Sequence, residues 1–135
     1  MFVLDSSVAL ALLFPDEASE VAETVAARLA ASAAMVPTIW PLEVRNALLS
    51  AFKSRRITAA ELDELLAVIA LLPVEIQPPA DPAALDRTVA LARRTGLSLY
   101  DASYLDLARE RSIPLATLDQ GLRKAAKASK VALLD

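Results

Sequence analysis

The chain has 135 residues, a net charge of −3 and 56% hydrophobic content, and it contains neither cysteine nor histidine. That size and apolar content describe one domain with a sizeable core, and they exclude a disordered chain or one drawn to nucleic acid by overall charge. Without Cys or His there are no disulfides, thiolate zinc sites, thiol nucleophiles or imidazole bases, so any polar chemistry runs on carboxylates, hydroxyls, Lys or Arg.

The chain opens on an apolar run, Phe2-Val3-Leu4, which predicts a short strand buried on both faces. It stops abruptly at Asp5-Ser6-Ser7, where a helix over 6–14 begins. Pro15-Asp16-Glu17 reads as a turn, and Val21, Val25 and Leu29 are spaced for an amphipathic helix over 19–33. A strand is expected at 35–37. A helix over 38–52 follows with Pro41 near its start, Leu42, Val44, Leu48 and Leu49 inward, Glu43 in its first turn and Asn46 one turn further on the same face. The longest uncharged stretch, 29–42, is broken by Pro37 and Pro41, whereas a membrane span needs about 20 apolar residues. No membrane segment or secretory signal is read, and a cytoplasmic location is expected.

Thr58 with Glu61 three residues later is a capping-box pattern for a helix over 58–72, ended by Pro73. Val74-Glu75-Ile76 reads as a strand. Asp81-Pro82 opens a helix through Arg94, with Leu85, Val89 and Leu91 or Ala92 toward the core and Gly96 as its C-terminal cap. Ser98 caps a helix over 99–110 that carries Asp101 near its start. A strand at 114–117 leads to Asp119, a basic helix covers 121–128, and 131–134 supplies a last strand. Strands alternating with helices define an α/β fold, a small mainly parallel sheet flanked by helices, in a single domain over 1–135.

Asp5 and Asp119 fall at the carboxyl ends of predicted strands, and Glu43 and Asp101 in the first turns of helices. In an α/β sheet both descriptions point to one edge, where ligands bind. Each acid also has a purely structural reading as a helix cap or a partner of a helix dipole. Four carboxylates meeting there would repel one another unless a cation held them, and oxygen ligands without His or Cys suit Mg²⁺ or Mn²⁺. Ser6, Ser7, Asn46 and Thr117 are placed to hydrogen-bond the carboxylates or to act as local caps. Trp40, Tyr100 and Tyr104 read as core or interface anchors. Basic residues cluster at Lys53, Arg55 and Arg56, at Arg93 and Arg94, and at Arg123, Lys124, Lys127 and Lys130.

With those residues in view, the segments Leu4-Asp5-Ser6-Ser7, Leu42-Glu43-Val44-Arg45-Asn46, Tyr100-Asp101-Ala102-Ser103-Tyr104-Leu105 and Thr117-Leu118-Asp119-Gln120-Gly121 strongly resemble the PIN-domain family. Within it, the likeness is to the VapC-type ribonuclease toxins of toxin–antitoxin pairs. The resemblance runs along the whole chain in order. It implies an acidic pocket of Asp5, Glu43, Asp101 and Asp119 binding Mg²⁺ or Mn²⁺, with Ser7, Asn46 and Thr117 in support. It also implies endonucleolytic cleavage of RNA, often tRNA or rRNA, a homodimer, and a VapB-like antitoxin that blocks the site. Arg123 and Lys124, just after Asp119, are the expected contacts to the RNA backbone. Two rival readings are a catalytically silent interaction module of the same fold and a phosphoacceptor receiver-like domain. The latter wants an acceptor Asp after the third strand, where this chain has Gln77-Pro78-Pro79.

Overall fold

The structure is a computed structural model that describes residues Met1–Asp135. In chain order it comprises β1 (Val3–Leu4), α1 (Ser6–Leu13), a 3-10 turn (Pro15–Glu17), α2 (Glu20–Leu29), β2 (Ala34–Val36), α3 (Trp40–Lys53), α4 (Ala59–Leu71), β3 (Val74–Ile76), α5 (Pro82–Thr95), α6 (Leu99–Arg111), β4 (Leu115–Ala116) and α7 (Gln120–Ala128). The four strands form one parallel sheet in the order β3-β2-β1-β4. Phe2, Val3 and Leu4 are wholly buried in its centre, as a continuous apolar run between two layers of helices requires.

Local chemistry explains most element boundaries. Thr58 Oγ1 accepts from Glu61 N at 3.1 Å and the Glu61 carboxylate accepts from Thr58 N at 3.1 Å, so the capping box forms in full. Asp81 caps α5 through Ala84 N, with Pro82 in the first turn. Gly96 ends α5 with φ +75. An added Cβ there would meet nothing within 4 Å, so Gly96→Ala should cost only the backbone penalty of a left-handed residue, about 1–2 kcal/mol in urea unfolding. The basic cluster after α3 is partly structural. Arg56 reaches Asp16 at 3.0 Å and Glu17 at 3.1 Å, and its guanidinium lies 4.0 Å from the centre of the Phe14 ring.

Three sequence expectations are corrected. The inward faces of α3 and α5 are narrower than their apolar content suggested. Val44 and Leu48 are buried with Trp40 and Ala51, but Leu42 is 66% exposed and Leu49 also faces outward. On α5 the buried positions are Thr88 and Leu91, whereas Leu85 and Val89 are exposed. Leu42 and Val44, like Val89 and Leu91, are two positions apart and so lie about 200° apart around the helix. Only one of each pair can face the sheet. Second, α2 stops at Leu29, because the Arg28 carbonyl accepts from both Ala31 N and Ser32 N and tightens the last turn ahead of β2. Third, the strand expected at 131–134 is reduced to one parallel bridge, Leu115 to Leu133, since β4 is too short to support a longer ladder.

The topology then decides where chemistry can sit. From β1 the chain moves outward through β2 to β3, then returns to the other side of β1 to make β4. The order therefore reverses between β1 and β4, and a crevice at their carboxyl ends is where open α/β sheets bind ligands.

Candidate active site

Asp5 follows β1 directly and Asp119 lies three residues beyond β4, so both emerge at the point of reversal. Helix α3 leaves the carboxyl end of β2, and α6 runs back against the sheet before entering β4. Their N-terminal turns, with Glu43 and Asp101, therefore lie at the same edge. The electrostatics agree. Asp101 feels the charges of Asp5 and Asp119, and Glu43 those of Asp5 and Asp101.

The capping alternatives can now be judged one acid at a time. Asp5 occupies the N-cap position of α1 but makes no side-chain cap bond. Instead its Oδ2 accepts from Ser7 Oγ at 2.6 Å and from Thr117 Oγ1 at 2.7 Å. Those hydroxyls in turn accept from Leu118 N at 3.0 Å and Asp119 N at 3.1 Å, which locks the loop after β4 onto the start of α1. Each hydroxyl has one proton and both are given to Asp5 Oδ2, so Oδ1 is left with only a long 3.4 Å contact from Ser6. Asp101 N donates to Ser98 Oγ at 3.1 Å, but the reciprocal bond of a capping box is absent, and Ser98 is the one side chain that offers the Asp101 carboxylate a hydrogen bond. Glu43 Oε1 accepts from the Tyr104 hydroxyl at 2.5 Å. Only Asp119 serves as a cap, with Oδ1 accepting from Leu122 N at 2.8 Å.

Burial raises Asp5 above the ordinary aspartate value, and the nearby Asp119 charge adds to it against the lowering effect of its two hydroxyl bonds. Burial also raises Glu43, with Asp5 and Asp101 adding and the Tyr104 bond opposing. Asp101 is raised by burial and then by Asp5 and Asp119. Burial and the Glu43 carboxylate keep the Tyr104 hydroxyl firmly protonated. Three acids at one edge thus share an unfavourable charge density.

No three of the carboxylates stand close enough together to hold one ion as they are arranged. Asp5, Glu43 and Asp119 each have one oxygen tied to hydroxyls, to Tyr104 or to a backbone amide, and each keeps a second oxygen for a ligand. The donor set still fits Mg²⁺ or Mn²⁺. All donors are oxygens, and magnesium takes one or two carboxylates and fills its remaining positions with water.

The PIN-domain family model matches residues 2–128. The chain belongs to the PIN-domain family.

Several solved structures are similar to this PIN domain. PAE2754 from Pyrobaculum aerophilum is 25% identical, with a TM-score of 0.67 over 92% of this chain and 78% of that one. VapC20 from Mycobacterium tuberculosis, described as a sarcin-ricin loop cleaving toxin, is 16% identical with a TM-score of 0.65, over 93% of this chain and 95% of its own. FitAcB from Neisseria gonorrhoeae is 19% identical with a TM-score of 0.67, over 100% of this chain and 97% of that one. The last two likenesses are of fold. No curated protein matches the chain.

Within the PIN domain, the residues expected to support the acids divide. Ser7 and Thr117 hold Asp5 directly, and Thr117 is fully buried to do so. Asn46 is exposed and makes no hydrogen bond to any of the four acids. Arg123 is not a free cation. Its Nη1 donates to the Thr117 carbonyl at 2.9 Å and its Nη2 meets Asp135 at 2.8 Å, so it braces the loop that carries Thr117. Arg123→Ala should therefore cost stability, about 1–2 kcal/mol by chemical denaturation, because the carbonyl loses a charged donor. Lys124 remains exposed and makes no ion pair within the chain.

Sequence reasoning read Tyr104 as a core or interface anchor; it lies in the core, and its hydroxyl reaches Glu43. The available signal was its spacing, three residues after Asp101 on the same side of α6. A cleft of about 440 Å³ opens beside the acids, between the chain leaving β2 and β3 and helices α5 and α6, with Thr38, Gln77, Arg87, Tyr100 and Ser103 among its lining. None of the four acids lines it, so the acids and this cleft are separate.

Proposed function

We propose that this PIN domain is a metal-dependent endoribonuclease and the toxin of a type II toxin–antitoxin pair. The observation that carries the reading is Asp5: a buried carboxylate at the sheet's reversal point, turned away from the capping bond open to it and facing other acids. A carboxylate so placed raises the energy of the folded chain unless something positive offsets it.

Asp5 through Oδ1 and Asp101 through either oxygen would hold Mg²⁺ or Mn²⁺, and Glu43 and Asp119 would complete the site through water. The chemistry that such an ion supplies when bound is acidification of an attacking water and neutralisation of charge on the phosphoryl oxygens. Ser7 and Thr117 fix Asp5 by consuming its second oxygen. Glu43 and Asp119 each keep an oxygen free to orient the attacking water in line with the leaving oxygen. The products are a 5′-phosphate and a 3′-hydroxyl.

Lys124, exposed on α7 directly after the Asp119 loop, contacts the RNA backbone in this reading. Lys124→Ala should weaken RNA binding and lower the salt slope by about one phosphate, whereas Arg123→Ala should not alter the slope. The RNA is a tRNA or rRNA; the description of VapC20 as a toxin that cleaves the sarcin-ricin loop supports this. A homodimer and a VapB-like antitoxin are the expected assemblies, and the exposed apolar side chains of α3 and α4, among them Leu42, Phe52 and Leu71, provide contact area. No helix is long and apolar enough to cross a membrane.

The second reading is a catalytically silent interaction module, and the separation of the carboxylates favours it. Incubating the purified, antitoxin-free chain with total RNA and Mn²⁺ or Mg²⁺ decides between them. Discrete fragments that vanish with EDTA support the nuclease. Absence of cleavage together with absence of metal binding in calorimetry would leave the silent module, and 2′,3′-cyclic phosphate ends would rule out attack by water.

A further inference from the structure

Glu43 poses a problem that its position alone does not solve. It sits in the first turn of α3 on a flexible side chain with three rotatable bonds, and burial and two neighbouring acids all disfavour its charge. An outward rotamer would put that carboxylate in water. The side chain does not adopt it; Tyr104 holds the carboxylate. Tyr104 is fully buried in α6, its ring packed in the core, and its hydroxyl donates to Glu43 Oε1 at 2.5 Å from a helix 61 residues further along the chain. Oε2 is left as the one Glu43 oxygen without a hydrogen bond.

We propose that Tyr104 is the positioning residue for Glu43, holding Oε1 so that Glu43 serves the acidic cluster through Oε2 alone. The inference rests on the metal-dependent nuclease reading and deepens it by giving Glu43 one available oxygen. Three features support it. The Tyr104 ring is immobilised by packing, so its hydroxyl is a fixed point, unlike an exposed donor. The same helix carries Asp101 one turn earlier, so α6 sets the separation of Asp101 and Glu43 as one rigid unit. Finally, the Asp5 carboxylate is treated in the same way, with Oδ2 occupied by two hydroxyls and Oδ1 carrying only the long 3.4 Å contact from the Ser6 hydroxyl. In both cases a buried hydroxyl takes one oxygen and orients the other.

The test compares Tyr104→Phe, Glu43→Gln and the double variant in the intact chain, reading Mn²⁺ binding by calorimetry and RNA cleavage as separate kcat and KM. Removing a group that orients a metal-site carboxylate lowers metal affinity or activity about ten- to a hundredfold. Tyr104→Phe should show that loss in kcat with KM unchanged and a weaker Mn²⁺ isotherm. Adding it to Glu43→Gln should cost nothing more, because the two act as a unit. Wild-type metal affinity and kcat in Tyr104→Phe, or a loss that multiplies in the Glu43→Gln background, would overturn the proposal while leaving the nuclease reading intact. Failure of the wild-type chain to bind Mn²⁺ and to cleave would instead sink the reading and the proposal together. If Tyr104→Phe does not fold, proton NMR of the wild type answers the same question. The Tyr104 hydroxyl proton should be shifted downfield and persist as Mg²⁺ is added, and its loss on Mg²⁺ addition would show that Glu43 is not held.

Discussion

Asp5→Asn and Asp101→Asn should each lower Mn²⁺-dependent RNA cleavage by roughly a thousandfold or more, with the fold retained by circular dichroism. The size follows from the electrostatics: losing about 4 kcal/mol of charge stabilisation in the transition state corresponds to about a thousandfold in rate. The two substitutions reach that loss differently. At Asp5 the amide oxygen of Asn can still accept from Ser7 and Thr117, so the loop after β4 stays attached while the negative charge disappears. At Asp101 the only side chain near enough to bond the carboxylate is Ser98, whose hydroxyl can donate equally to an amide oxygen, so Asn keeps the local structure and removes the charge. Cleavage by either variant at more than about a tenth of the wild-type rate would mean that the reaction does not pass through these acids.

The second large effect concerns stability. Asp5, Glu43 and Asp101 are all raised above their ordinary values, by burial first and by one another second. Between the unfolded and the raised folded values, the folded chain binds more protons than the unfolded one. The contribution of these three groups to the stability of the metal-free protein is therefore greatest below the unfolded values and falls as pH rises through the folded ones. Most small proteins lose stability in acid through paired carboxylates; here these three groups act in the opposite sense. A divalent ion binds the ionised acids and removes the penalty, so Mg²⁺ should raise the melting temperature most at neutral pH. At a hundred times its dissociation constant the ion contributes about 2.7 kcal/mol. Asp101→Asn deletes one repelled charge, so the metal-free variant should melt above the metal-free wild type and gain little from Mg²⁺. A wild-type melting temperature that is independent of Mg²⁺ at neutral pH would show that the acids are not relieved by a cation.

These two predictions pull in opposite directions on one residue. Asp101→Asn should make a more stable protein and a dead enzyme. Such a trade is expected where like charges are held together for chemistry rather than for folding.

What the sequence by itself determined was everything with a local cause. The buried strand Phe2-Val3-Leu4, the capping box of Thr58 and Glu61, the Asp81-Pro82 start and the left-handed Gly96 end of α5 each depend on neighbours within a few residues. The alternation of strands and helices, and with it the α/β class, follows from the same short-range signals. The four acids were legible because a strand end and a helix start are local features that an α/β sheet brings to one edge.

The tertiary structure alone decided the rest, because the deciding partners are far away in the chain. Whether Asp5 caps its helix or faces a site depends on Thr117, 112 residues later, and the bond to Thr117 favours the site. Glu43 is held by Tyr104 rather than merely facing a helix dipole, and Arg123 has partners within the chain in the Thr117 carbonyl and Asp135. The inward faces of α3 and α5 were misjudged for the same reason. An apolar residue turns inward only where a neighbouring element stands to receive it, and the packing around α3 and α5 has room for one stripe each. Above all, the return of β4 to the open side of β1 puts Asp119 beside Asp5. No residue pattern within either strand specifies that neighbour, since parallel pairing is settled by which buried faces fit together once the helices between them have packed.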